Sequence, residues 1–216
     1  FNREPAADVI KAYDKAVFVG TNAKEAGVMQ GEILTDLWNK DSKAVDKNGD
    51  GVLQYVMLKG EPDNPEAVAR TQFSVSTLED NNIKTEELAL QVANWDQALA
   101  QNATEAWFSK FGEKIEAVIA NNDGMAQGAI AALQAQGYNN GDEAKTIPVV
   151  GVDATAAAQD LIGKGFMLGS VLQDAEGMAN ALYETGMNLA EGKSAIEGTE
   201  YKFDDTGVAV RIPYQQ

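Results

Sequence analysis

The chain has 216 residues, 44% of them hydrophobic, and carries 33 Asp and Glu against 17 Lys and Arg, a net charge of −16. Its length suits one large α/β domain or a lobe and a half of a two-lobed protein. The charge excludes nucleic acid and anionic membrane surfaces as partners, because nothing here neutralises a run of phosphates. Cysteine and histidine are both absent, which removes disulfides, thiolate and imidazole metal sites, and Ser-His-Asp or Cys-His catalysis. No apolar run approaches membrane-spanning length. The opening Phe1-Asn2-Arg3-Glu4-Pro5 lacks both a methionine and a signal peptide, so a mature, cut or truncated start is expected.

Residues 16–20 read as a strand, followed by a helix over about 22–38. The next stretch, Asp46-Lys47-Asn48-Gly49-Asp50-Gly51-Val52-Leu53-Gln54, is the most informative in the chain. Side-chain oxygens at alternate positions, Asp46, Asn48 and Asp50, a glycine at the sixth place, the carbonyl of Val52 at the seventh and Gln54 at the ninth are how a loop wraps a hard cation. The competing reading is an Asx/Gly surface turn. The spacing favours a structural metal, Ca²⁺ over Mg²⁺ for the ligand count. A helix–loop–helix site would have a bidentate Glu at the twelfth position, where Met57 stands, and the apolar, β-rich residues 52–58 do not continue as a helix. The missing carboxylate must come from elsewhere.

Beyond the loop, strands are expected at 53–58, 88–92, 116–120, 148–152 and 167–171. Helices are expected at 65–79, 95–111, 123–136, 154–162 and 174–190. Two last strands, 201–203 and 208–212, flank an Asp-Asp-Thr-Gly turn. Tyr138-Asn139-Asn140-Gly141-Asp142 reads as a surface loop, and Gly163-Lys164-Gly165 as a helix stop. Repeated β-α units with nearly all-apolar strands define an α/β fold with a doubly wound parallel sheet covered on both faces.

In such sheets ligands sit beyond the carboxyl ends of the strands. Asn64, Glu66 and Arg70 follow one strand, Trp95 the next, Asn122 and Asp123 the third, Asp153 the fourth and Gln173 the fifth. Carboxylates, amides, an arginine and an indole at one rim suit a neutral, hydroxyl-rich ligand: the polar groups exchange hydrogen bonds with hydroxyls and the indole covers the C–H face of a sugar ring. Each residue also has a plainer role. Asp123 and Asp153 would cap the helices that follow them, the preferred reading for Asp123, and Glu66 suits a helix N-terminus. Arg70 would be a surface ion-pair former and Trp95 ordinary core. Their common location is what favours a site.

Taken with Tyr13-Asp14-Lys15-Ala16, Val19-Gly20-Thr21, Leu58-Lys59-Gly60-Glu61-Pro62, Ala69-Arg70-Thr71, Trp95-Asp96, Ile119-Ala120-Asn121-Asn122-Asp123, Gly151-Val152-Asp153-Ala154 and Arg211-Ile212-Pro213-Tyr214, nearly the whole chain resembles the bacterial glucose/galactose-binding proteins. These are periplasmic sugar-binding components of ABC importers and ligand carriers for chemotaxis. The resemblance implies a type I periplasmic-binding fold whose two lobes close around a hexose, with a membrane permease and a chemoreceptor as readers of the closed form. It implies no enzymatic activity, and a periplasmic location, or a cell-surface lipoprotein in a Gram-positive organism. Asn2, Arg70, Trp95, Asn122 and Asp153 are similar to the family's sugar contacts. Asp46, Asn48, Asp50, the Val52 carbonyl, Gln54 and the distant Glu116 resemble its calcium shell, Glu116 supplying the bidentate carboxylate.

Asn64 stands where the family has a histidine, Glu66 where it has an aspartate and Gln173 where it has an asparagine; these changes bear on the choice between glucose and galactose. The resemblance also implies a chain that begins late in the first lobe. A complete second lobe over 22–171, a partial first lobe from 1–18 and 174–209, and a return crossing over 210–216 are expected. Such a fragment is expected to bind sugar weakly or not at all and to pair or swap through the incomplete lobe. A LacI-type inducer-binding domain shares the fold but lacks the calcium loop. A calcium sensor would need paired helix-flanked loops, and a flavodoxin-like enzyme a phosphate-binding glycine loop.

Overall fold

The computed structural model describes Phe1 and residues 3–215. The chain divides into two compact units, Phe1–Asn22 with Gln173–Gln215, and Ala23–Leu172.

The larger unit alternates strand and helix: α2 (Ala23–Val45), β2 (Val52–Lys59), α3 (Pro65–Asp80), β3 (Lys84–Val92), α4 (Gln97–Phe111), β4 (Ala117–Ala120), α5 (Asp123–Ala135), β5 (Val149–Asp153), α6 (Ala156–Gly163) and β6 (Gly169–Gln173). The strands run in the order β3-β2-β4-β5-β6, with β3–β2, β2–β4, β4–β5 and β5–β6 all parallel. β2 explains the two-sided burial. Leu53, Tyr55 and Met57 point into one cluster with Leu34 of α2 and Leu78 of α3. Val56 and Leu58 point the other way, to Met125, Ile130 and Leu133 of α5 and Trp107 of α4. A period of two with apolar residues on both sides is what a strand between two helical layers requires.

Close helix packing rests on glycine. A Cβ on Gly27 would lie 2.9 Å from the Ala69 carbonyl oxygen, and one on Gly31 2.6 Å from that of Ser74, so α2 lies directly on the α3 backbone. α2 is longer than the expected 22–38 helix and continues through a break at Asp41 to Val45, which delivers the 46–54 loop straight from a helix end. β3 begins at Lys84, four residues before the expected 88, and shifts register against β2 at Tyr55/Val56. Its first four residues, Lys84-Thr85-Glu86-Glu87, are polar and mostly exposed, so that half of the strand carries no apolar run.

In the smaller unit, β1 (Phe18–Gly20) pairs in parallel with β7 (Ala209–Arg211). α7 (Ala175–Ala190) covers the pair through Met178 and Ala181, while Ile10 of a short helix, α1 (Ala7–Lys11), packs on Phe18. Arg211 forks onto both carboxylate oxygens of Glu4, at 2.8 and 2.5 Å, and donates through Nε to Asp204 at 2.8 Å. Such a bidentate pair ties the chain's first residues to β7. The strand expected at 201–203 is reduced to a single antiparallel bridge between Phe203 and Val210, because Asp204 turns the chain back by accepting from Thr206 N–H and its own carbonyl accepts from Gly207. A final two-residue strand is β8 (Tyr214–Gln215).

The loop at 138–142 is not a plain surface loop. Asn139 is wholly buried, with φ at +49°, and its amide donates to the Ile147 and Phe166 carbonyls while accepting from Ile147 N–H. Gly163 and Gly165 do end α6, Gly165 adopting φ +72°.

Gly27→Ala is expected to destabilise the chain by about 1–3 kcal/mol, since the added methyl meets backbone rather than a side chain that could swing away. Urea unfolding checks this, and an unchanged midpoint would contradict the close α2–α3 approach.

Candidate functional site

Because the strands are parallel and each helix follows its strand, the residues just after β2, β3, β4 and β5 share one edge of the larger unit. Arg70, in the second turn of α3, is the hub. It is 4% exposed, and its Nη1 donates to the Asn121 carbonyl at 2.7 Å. Its Nη2 lies 3.5 Å from Glu66, one turn earlier, and its guanidinium sits 5.9 Å from the Trp95 ring centroid. Asp153 and Asp123 both lie within its electrostatic reach.

Asn64 caps α3, its Oδ1 accepting from Glu66 N–H at 2.9 Å and Ala67 N–H at 3.3 Å. This use of the carbonyl oxygen leaves the amide N–H groups as donors to the edge. Asn122 caps α5 by accepting from Met125 N–H at 2.9 Å, and its Nδ2 lies 3.5 Å from the Trp95 carbonyl. Trp95 lies flat over Gly60: a Cβ there would overlap the indole. Asn94 and Trp95 both have positive φ, +49° and +67°. Two successive non-glycine residues in the left-handed region turn the chain sharply between β3 and α4 and hold the ring half-buried at the rim, not in the core.

Neither aspartate caps a helix, the reading preferred for Asp123 and the plainer alternative for Asp153. Asn122 already caps α5, so the buried Asp123 points instead to Ser170 Oγ and Thr155 N–H. Thr155 caps α6, and Asp153 ends β5 with φ +116°. Burial pushes the Asp153 carboxyl up to about 6, opposed by Arg70 and reinforced by Asp123 and Glu66. The Asp123 carboxyl is also pushed up by burial. Gln173 ends β6 and falls in the smaller unit; Asn2 lies outside the described residues.

One residue escaped the sequence reading. Asn121 is wholly buried: its Oδ1 accepts from Gly60 N–H and Thr71 Oγ1, while its backbone carbonyl holds Arg70. The signal was a second asparagine straight after an apolar strand, where one suffices for a cap.

At the opposite ends of the strands, the 46–54 loop folds around Glu116, which directly precedes β4 and is 1% exposed. Glu116 Oε1 accepts from Lys47 N–H at 2.7 Å and Oε2 from Gln54 N–H at 3.0 Å. Asp46 accepts from Gly49, Asp50 and Gly51 N–H, Asn48 from Asp50 N–H, and Asp50 from Val52 N–H. Asn48 Nδ2 donates to Gln54 Oε1, and Gln54 Nε2 to Asp50. Burial pushes the Glu116 carboxyl up and nearby Asp46 adds to this. Among the described residues, no group of three or more acidic side chains is gathered as a metal centre by acids alone. The side-chain oxygens of Asp46, Asn48 and Asp50 accept from backbone N–H groups of the loop, the bonding of an Asx/Gly turn, and as a set of acids and amides around the buried Glu116 they are donors of the type a hard cation takes.

The chain belongs to the periplasmic binding protein domain family, whose model matches residues 1–194. Its α/β architecture is the type I periplasmic-binding fold. It is similar to the D-galactose/methyl-galactoside binding periplasmic protein of Haemophilus influenzae, 42% identical over 215 residues, covering 99% of this chain and 62% of that protein. It is also similar to a putative rhizopine-binding protein of Rhizobium meliloti, 31% identical over 201 residues, covering 93% of this chain and 59% of that protein. Among solved structures, an ABC transporter solute binding protein from Bacillus halodurans with bound myo-inositol matches with a TM-score of 0.74 at 28% identity, covering 99% of this chain and 63% of that one. The chain thus spans 62% and 59% of the length of these two curated relatives.

The Asp153 carboxyl binds its proton more tightly in the folded chain, near pH 6, than at its ordinary value of 3.8. Between those values the folded state holds more protons, so this group's effect is a stability that falls as pH rises through the window. Asp153→Asn should abolish that fall, and gain about 1–3 kcal/mol at pH 7 relative to pH 4. Urea unfolding at both pH values checks it; an identical pH trend in both chains would contradict the assignment.

Proposed function

We propose that this chain is the hexose-recognising part of a periplasmic solute-binding protein, a binder and not an enzyme, that delivers glucose- or galactose-type sugars to an ABC importer. The observation that carries the reading is the buried Arg70, gathered with Glu66, Asp153 and Trp95 at the carboxyl edge of a parallel sheet. A fixed guanidinium donates to two ring hydroxyls, the carboxylates accept from others, and the indole packs against the C–H face. Asn64 and Asn122 add amides whose oxygens are spent on caps, so both contribute chiefly as donors. The Haemophilus influenzae relative's name supports galactose as the first sugar to try. Glu66 and Gln173, each carrying one methylene more than the aspartate and asparagine of the resemblance, are the positions expected to tune glucose against galactose. Asn2 is assigned to the same sugar. A permease of the importer, and a chemoreceptor, are the partners this reading implies, and the location is outside the cytoplasmic membrane. A LacI-type regulator is not favoured, since the Haemophilus influenzae relative is a periplasmic protein.

The loop is assigned a structural Ca²⁺ held by Asp46, Asn48, Asp50, the Val52 carbonyl, Gln54 and Glu116. What favours it is Glu116, a buried carboxylate beside Asp46, which a cation would relieve of both its desolvation and its like-charge neighbour.

Calorimetric titration with D-galactose and D-glucose tests the sugar reading. Saturable but weak heat is expected, because the chain spans 62% of the length of its Haemophilus influenzae relative and so carries part of a sugar site, with Asp153→Ala losing at least tenfold in affinity, since a hydrogen bond to a charged group is worth about 1.5–3 kcal/mol. No saturable heat from any aldohexose would sink it. For the metal, a site filled at about a hundred times its dissociation constant adds about 2.7 kcal/mol. Chelator should therefore lower the melting temperature of the parent chain and leave that of Asp50→Ala unmoved; a variant that still responds would place the ion elsewhere.

A further inference from the structure

The turn that presents Asp153 is strained, and the structure holds the means of keeping it so. Asp153 and Ala154 adopt φ of +116° and +50° in succession. Residues with a Cβ resist this region at a cost of order 1–3 kcal/mol each, and persist there only when their surroundings over-determine them. Three groups do this. The Ala154 N–H donates to Ser170 Oγ at 3.0 Å, the Thr155 N–H donates to Asp123 Oδ2 at 2.7 Å, and the Ala154 carbonyl accepts from Gln159 Nε2 at 2.7 Å. Ser170 in turn donates to Asp123 Oδ1 at 2.5 Å, so one hydroxyl and one carboxylate form a closed unit under the turn.

Besides lying within the electrostatic reach of Arg70, Asp123 directs its hydrogen bonds to this clamp. It is wholly buried, at 0% exposure, and the cap of its own helix is made by Asn122. Both its oxygens are engaged in the clamp. Gly151 leaves room for it: a Cβ at that position would overlap Asp123 Oδ1. A buried carboxylate is costly unless its hydrogen bonds accomplish something, and here they all converge on residues 154–155 and on Ser170.

We propose that Asp123 and Ser170 are positioning residues: they lock the 153–155 turn in its left-handed form and thereby fix the Asp153 carboxylate on the sugar-facing edge beside Arg70. This deepens the sugar-binding reading and rests on it for its functional consequence. Neither residue is among those assigned to the sugar. Ser170 reads the turn through its hydroxyl and Asp123 through its two oxygens, so their effects on geometry and on charge can be separated by substitution.

Three variants of the chain make the test: Ser170→Ala, which removes the hydroxyl and keeps the charge; Ser170→Thr, which restores a hydroxyl; and Asp123→Asn, which keeps the shape and removes the charge. Amide hydrogen exchange at Ala154 and Thr155 is followed without ligand, and D-galactose affinity is followed from pH 4.5 to 8. Ser170→Ala should speed exchange at Ala154 at least tenfold and weaken galactose at least tenfold, with Ser170→Thr recovering both. The acid limb of binding, where Asp153 takes up its proton, should stay in place in Ser170→Ala and move to lower pH in Asp123→Asn, because Asp123 is one of the charges, with Glu66, that oppose ionisation of Asp153 against the pull of Arg70. Unchanged exchange at 154–155 in Ser170→Ala overturns the clamp. So does an Asp123→Asn chain that melts earlier yet keeps the parent's acid limb, since that is a purely structural role. A parent chain that takes up no hexose defeats the sugar reading instead, and the exchange measurement then decides the clamp alone.

Discussion

A guanidinium removed from water needs acceptors and negative charge around it, and Arg70 imposes that demand on the carboxyl edge of the sheet through Nη1 and Nη2. The Asn121 carbonyl satisfies one nitrogen, Glu66 stands at 3.5 Å from another, and the negative charges of Asp153 and Asp123 lie around it. Four strand ends are thereby brought to one point: α3 after β2, Trp95 after β3, Asn121 after β4 and Asp153 after β5. The arrangement holds more negative than positive charge, which is why burial and repulsion together keep the Asp153 proton affinity high. A ligand rich in hydroxyls relieves this by donating to the carboxylates, and a ligand without donors does not.

The edge is rigid because its backbone is strained and tied. Trp95 has no freedom to settle, being seated on Gly60 and led by two left-handed residues; Asp153 is equally confined by the turn that follows it. Preorganisation of this kind lowers the entropy lost when a small, flexible set of hydroxyls is captured. At the far ends of the same strands, the loop around Glu116 performs an analogous service, gathering backbone N–H groups on a buried carboxylate and fixing where β2 and β4 begin.

Much of this was legible in the sequence. The β-α alternation could be read because β2, β4 and β5 are buried on both faces and so are continuously apolar. β3 was only half visible, since an edge strand with exposed Glu86 and Glu87 carries no such run. The rim residues could be predicted from the rule that ligands collect at strand carboxyl ends, and Arg70, Glu66, Trp95, Asn122 and Asp153 do lie on one edge of the larger unit. Which of them caps a helix could not be predicted. In Asn121-Asn122-Asp123 any of the three is a plausible cap by type, and only the three-dimensional path selects Asn122, frees Asp123 for Ser170 and buries Asn121 beneath Arg70. Ser170 itself is 47 residues from Asp123, a pairing invisible to any local pattern.

Whether a hexose seats on this edge against Trp95 is decided by the three indole N–H signals of Trp38, Trp95 and Trp107 in a nitrogen-15 spectrum titrated with D-galactose. A saturable shift of the Trp95 signal alone is expected, because Trp107 is buried in the α4–α5 core and Trp38, a residue of α2, packs against the cluster on the other face of the sheet. A Trp95 signal that stays fixed while galactose and glucose are raised to saturating concentration, or one that moves only together with the other two, would contradict it.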